Sequence, residues 1–249
     1  MLSRNQLDVI EEQAFVGAPS QLPGVCKVRP LTLLEIITMG TNIYNSRLGL
    51  LLLTEVDIAK IIKDKTGQEP NIEEIQTLPY LLQSAAHDDM FLLELQTAFS
   101  TFITEEILLL PKINAVVIGN PKEKRLLTTD NFSVFQDILR IQNKREVKEP
   151  PPENESAIAR KFRLKREMRD AAKRKQQAKK GEGQSLVELL EIAETFGIDY
   201  QNKTLFAFYN LIQRHQAKEK WDQDIQMLCA GADSKKLKTK YWGESLKEK

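Results

Sequence analysis

The chain of 249 residues carries 36 Lys and Arg against 35 Asp and Glu, a formal net charge of +1, with 41% hydrophobic and 29% charged residues. That balance excludes a generally polycationic nucleic-acid binder and an acidic tail protein, and it describes a globular chain long enough for one large or two small domains. No run approaches the roughly 18 apolar residues of a membrane helix, the opening Met-Leu-Ser-Arg-Asn is no signal peptide, and Cys26 and Cys229, far apart in the chain, suit a reducing cytoplasm and not a disulfide scaffold.

The near-zero sum conceals an asymmetry. Residues 1 to 110 hold 7 basic and 15 acidic side chains, whereas residues 156 to 180 hold 11 basic and 2 acidic. An acidic front half therefore meets one intensely basic segment.

In chain order, Phe15 to Pro30 carries Gly17, Pro19, Pro23, Gly24 and Pro30, which predicts an extended arm with one short strand, Val25 to Val28. Thr32 and Glu35 have the spacing of a capping box, and Leu33, Ile36 and Ile37 follow at helical spacing until Gly40. Tyr44, Leu48, Leu51 and Leu52 place an apolar face on a second helix; Thr54 with Asp57 starts a third, to about Lys65, which Gly67 and Pro70 end. Asn71 caps a short helix with Ile72 and Ile75, Pro79 sits in a first turn, and Met90 to Phe102 form a strongly amphipathic helix. The front half reads as a small helical bundle.

Leu108 to Leu127 breaks this rhythm with short Val- and Ile-rich runs separated by Gly119, Asn120 and Pro121, the punctuation of a short β-hairpin. Thr129 or Asp130 then caps a helix with Phe132, Phe135, Ile138, Leu139 and Ile141 on one face. Its end marks a boundary. Residues 144–155 contain Pro150, Pro151 and Pro152 among Lys and Glu, an extended linker. Ser156 opens a basic helix to about Lys180, almost without apolar positions after Met168. Ser185 and Glu188 form another capping box for Leu186 to Phe196, stopped at Gly197. Asn202 caps the next helix, whose stripe of Leu205, Phe208, Tyr209 and Ile212 continues through Trp221, Ile225 and Leu228 to Ala230. A last piece, Ser234 to Trp242, is weakly amphipathic. The expected class is mainly α: an acidic domain over 1–143, a Pro-rich linker over 144–155, a basic helix over 156–183 and a C-terminal helical domain over 184–249.

Catalytic signatures are missing. Cys26, Cys229, His87 and His215 have no partner at metal-ligand spacing; Cys229 with His215 reads as core packing and not as a nucleophile with its base; no glycine motif cradles a phosphate. The sequence reading is therefore of a protein without catalysis, metal or cofactor. The basic helix is the strongest anomaly. Arg160, Arg163, Arg166, Arg169, Lys173 and Arg174 would neutralise phosphates with steep salt dependence, while a solvated face or a contact for the acidic half explains the same residues. Aromatics near the end, Trp221, Tyr241 and Trp242, read as docking anchors or as core.

Two stretches resemble a known family. Leu22-Pro-Gly-Val-Cys-Lys-Val-Arg-Pro-Leu-Thr-Leu-Leu-Glu-Ile-Ile-Thr-Met-Gly40, followed by Tyr44-Asn45, is similar to the front of tail assembly chaperones of long-tailed bacteriophages of Gram-positive hosts. Thr204 to Ile212, Trp221 through Cys229-Ala-Gly-Ala-Asp233, and Lys240-Tyr-Trp-Gly243 resemble their C-terminal part. The basic helix has no place in that pattern.

The resemblance implies a non-enzymatic helper in the host cell cytoplasm that binds the tape measure protein, a long helical chain, and keeps it soluble, with the tail tube protein and self-association as further partners and no membrane contact. Client contacts are expected at Tyr44, Leu48 and Leu51 in the front bundle and at Phe208, Tyr209, Trp221 and Trp242 behind, each with core packing as its alternative. The competing expectation is a nucleic-acid-associated phage protein acting through the basic helix over 156–180.

Overall fold

The first helix is one that apolar spacing does not announce. Ser3 Oγ accepts the backbone N–H of Gln6 and the Gln6 side chain accepts that of Ser3, a capping box that starts α1 (Arg4–Val16). Only Ile10 and Ala14 of this helix are buried, so its stripe is too thin to read by periodicity. In this computed structural model the described residues are 2–123, 125–145, 185–232 and 241–243, with Ser156, Ala159, Phe162, Arg163, Arg166 and Arg169.

Where one strand was expected, the arm after α1 forms a hairpin. Strands β1 (Ser20–Leu22) and β2 (Cys26–Val28) pair antiparallel from Ser20 opposite Val28 to Leu22 opposite Cys26, around a turn in which Gly24 takes φ 70°. Both strands bury their first and third residues, which is the alternation of a sheet with one covered face.

Capping then follows the sequence closely. Thr32 and Glu35 close their box at the start of α2 (Leu33–Met39), and Gly40 separates it from α3 (Thr41–Leu51). Thr54 and Asp57 start α4 (Glu55–Thr66), which ends at Gly67 in the left-handed region. Asn71 caps a single 3-10 turn, Ile72–Glu74, and α5 (Thr77–Ala86) carries Pro79 in its first turn. Asp88 accepts the N–H groups of Met90 and Phe91 to begin α6 (Asp89–Phe102).

The hairpin expected next is a three-stranded meander. Strands β3 (Ile107–Leu110), β4 (Ala115–Ile118) and β5 (Leu126–Leu127) pair antiparallel in that order, with all of β4 buried as the central strand. Helix α7 (Thr129–Gln142) is capped at Thr128, not at Thr129 or Asp130, because Asn131 three residues on accepts the Thr128 N–H at 2.8 Å. All five residues expected on its apolar face are buried. Phe132 and Phe135 meet Phe99 of α6 at centroid distances of 6.4 and 5.8 Å, the centre of the main core. Gln136, buried among them, donates from Nε2 to the carbonyls of Leu51 and Leu53, both at 2.9 Å, and so ties α7 to the open end of α3.

Ser185 and Glu188 cap α8 (Leu186–Thr195), and α9 is one unbroken helix of 25 residues, Leu205–Cys229. Its cap is Thr204, displacing Asn202, because the Thr204 hydroxyl serves both the Ala207 N–H and the Ala14 carbonyl. The two ends of the chain share a core. Leu33 of α2 is buried with Leu189, Ala193, Phe208 and Ile212, and Phe206 joins the main cluster. Two N–H groups at the open start of α2, those of Leu33 and Leu34, donate to the carbonyls of Lys203 and Gln201. The protein is thus mainly α with two small antiparallel sheets, and among the described residues no helix is long and apolar enough to cross a membrane. Residues 146–155 of the expected linker and 234–240 of the expected last helix lie outside the described residues.

Candidate functional site

Four of the seven expected client contacts are inside the protein. Leu48, Leu51 and Phe208 are fully buried, and Tyr44 is 3% exposed with its hydroxyl donating to Asn143 Oδ1. These four side chains take the core-packing alternative, because their apolar stripes face the bundle that α1, α6, α7 and α8 complete. Burial also pushes the Tyr44 phenol above its ordinary pKa, against the pull of Arg145.

Tyr209, Trp221 and Trp242 keep accessible surface. Trp221 lies on the outer part of α9, where no residue after Ile212 is buried, so roughly 25 Å of helix runs beyond the core at about 1.5 Å per residue. Trp221, Ile225 and Leu228 are half-buried on one face of this stretch. Tyr241 meets Trp221 edge-on at 5.9 Å and Trp242 at 5.6 Å, while Arg214 donates to the Trp242 carbonyl at 2.6 Å. Tyr241 and Trp242 are thereby held against α9. Cys229, expected in the core, is exposed at the end of this helix. It sits fourteen positions after His215 on one helix, about 21 Å along the axis, and His215 instead stacks on Phe196 at 5.2 Å.

Of the basic surface, Arg163, Arg166 and Arg169 are helical, with Arg166 and Arg169 exposed; Arg160, Lys173 and Arg174 lie outside the described residues.

A cleft of about 320 Å³ forms where three elements meet. Helix α3 contributes Tyr44, Asn45 and Leu48, the end of α7 contributes Asn143, Lys144 and Arg145, and α9 contributes Leu205, Tyr209 and Gln213. Tyr44, Leu48 and Tyr209, assigned to separate halves from the sequence, are thus brought together. Lys144 and Arg145 had been read only as the start of a linker; a pair of cations directly after a helix end, opposite two tyrosine-bearing helices, is the signal that points to them.

No protein family, curated protein or solved structure matches the chain at a significant level.

Proposed function

We propose that this protein is a tail assembly chaperone of a long-tailed bacteriophage, a non-enzymatic helper that binds the tape measure protein in the host cytoplasm and keeps it soluble. The supporting observation is the outer length of α9, a helix that leaves the core after Ile212 yet keeps Trp221, Ile225 and Leu228 at helical spacing on one face. A long amphipathic client aggregates through its own apolar stripe, and a projecting helix with a matching seam covers such a stripe by helix-to-helix packing. Trp221 and Trp242 are the anchors of this contact, and the acidic front half steers the encounter with basic stretches of the client. Tail tube protein and a second copy of the chain are further partners that the same reading admits.

Co-expression tests it. The product of the long reading frame that directly follows this gene is expected to be insoluble alone and soluble with the chaperone, and Trp221→Ser with Ile225→Ser removes the rescue. A client equally soluble in both conditions, or flanking genes for packaging and replication in place of tail genes, overturns the reading.

A further inference from the structure

The cleft between α3, the end of α7 and α9 has a chemistry that client packing does not require. Its floor is apolar, Leu48 and Leu205, and its lining contains Lys144 and Arg145 but no carboxylate. Lys144 holds φ 53°, a left-handed backbone that glycine or asparagine adopts more cheaply. Its ammonium lies 4.6 Å over the Phe206 ring, so the side chain is held down beside the cleft.

These cations are not needed to finish α7. The backbone N–H groups of Asn143, Lys144 and Arg145 already donate to the carbonyls of Leu139, Ile141 and Arg140, which closes the helix end with main chain alone. The Arg145 guanidinium forms no ion pair or hydrogen bond among the described residues. Donors accumulate around it. Asn143 is spent, accepting from Tyr44 and donating to Leu139, but the Tyr209 hydroxyl and the amides of Asn45 and Gln213 have no hydrogen-bond partner among the described residues. Burial raises the Tyr209 phenol pKa and the positive charge of Arg145 opposes that rise, which places the guanidinium's field at the hydroxyl.

We propose that this cleft binds an oxyanion, a carboxylate or phosphoryl group of a ligand, gripped by the Arg145 guanidinium and the Tyr209 hydroxyl above the Leu48 and Leu205 floor. An arginine fork matches two oxygens of such a group, and a phenol O–H supplies a third donor from another direction. Asn45 and Gln213 complete the set from α3 and α9, so the site exists only when both ends of the chain are docked. It stands apart from the chaperone reading, because it uses neither the outer seam of α9 nor the residues held against it.

The test is a pair of titrations of the full chain, with sodium phosphate and with sodium acetate, at ionic strength held constant by sodium chloride. The side-chain amides of Asn45 and Gln213 and the Arg145 Nε–H are followed by nuclear magnetic resonance. Saturable shifts with half-saturation on the order of millimolar are expected, phosphate the tighter if the natural group is phosphoryl and acetate equal or tighter if it is a carboxylate. Arg145→Gln weakens binding about tenfold and Tyr209→Phe by several-fold, with unchanged melting temperature because Arg145 is exposed and Tyr209 only half-buried. Should either variant melt early, Gln213→Ala replaces it. Shifts that grow linearly in both titrations, or saturation that is unaltered in the Arg145 variant, overturn the proposal.

Discussion

The Thr204 hydroxyl donates a 2.6 Å hydrogen bond to the carbonyl of Ala14, 190 residues earlier in the chain. The same oxygen accepts the Ala207 N–H, so one side chain caps α9 and fastens it to α1. Removing it leaves two buried groups without partners. Thr204→Ala is expected to cost about 2–3 kcal/mol, the sum of a lost cap and an orphaned carbonyl, whereas Thr204→Ser keeps both bonds and costs less than about 1 kcal/mol. Urea unfolding of the two variants checks this; equal midpoints contradict it.

Gln136 plays a similar part at the other end of the bundle, where its amide serves the carbonyls of Leu51 and Leu53. Gln136→Leu conserves volume but strands both oxygens away from water, and a loss of about 2–4 kcal/mol follows. A variant as stable as the parent in denaturant unfolding would show that water replaces the amide.

Acid is expected to weaken the fold through Glu35 and Glu105. For Glu35, burial alone raises the carboxyl pKa, but the Thr32 backbone N–H and the Arg29 guanidinium outweigh it and hold the group below its ordinary 4.5. For Glu105, burial is likewise outweighed by the Thr104 hydroxyl, the Lys27 N–H and Arg125. Both pKa values are lower in the folded state, so between the folded and unfolded values the unfolded chain binds more protons. Their stabilisation is whole above the ordinary 4.5 and is lost as pH falls through the lowered values. The Glu35 and Glu105 side chains keep 39% and 19% of their surface, so solvent screens both ion pairs and each contributes on the order of 1 kcal/mol. Asp137 runs the other way, since burial dominates the Arg140 pairing and raises it; its share of stability declines as pH rises from the ordinary 3.8 through the raised value. Unfolding midpoints measured from about pH 3 to pH 7 should show the acid drop flattened in Glu105→Gln.

The two thiols should differ sharply. Burial, with Glu105 adding and Arg125 opposing, pushes the Cys26 thiol up to about 12, and the side chain is 0% exposed. Cys229 is exposed. An aromatic disulfide reagent at about pH 8 should therefore modify one thiol per native chain promptly and the second only in denaturant, because the thiolate is the reacting form. Two fast equivalents would place Cys26 at the surface.

Changes on the outer part of α9 should separate stability from client binding. Trp221→Ser with Ile225→Ser removes half-buried side chains and is expected to cost about 1–2 kcal/mol, whereas Phe99→Ala in the core costs about 3–5 kcal/mol. The outer variant loses client rescue while folded; a melting temperature as low as that of Phe99→Ala would mean that the seam is structural.

Local punctuation was legible in the residues themselves. Thr32 with Glu35, Thr54 with Asp57 and Ser185 with Glu188 cap helices where their spacing says they do, because a capping box is a contact across three residues and needs nothing from the rest of the fold. The same rule was present at Ser3 and Gln6, and α1 was missed because its thin apolar stripe gave no second signal. At Thr204 the local rule was not enough, since the cap is selected by a carbonyl at Ala14 that sequence distance hides.

Periodicity identified which side of α3 and α9 is apolar, and by itself that settled helix, face and class. It did not say what covers the face, because Leu48, Phe208 and Trp221 carry the same pattern while the first two are sealed in the core and the third lies beyond it. Burial is decided by which elements arrive opposite, a sum of contacts between residues far apart in the chain. The meeting of Tyr44, Arg145 and Tyr209 around one cleft is of the same kind. Each residue was visible in the sequence, and only the docking of α9 onto α3 and α7 made them neighbours.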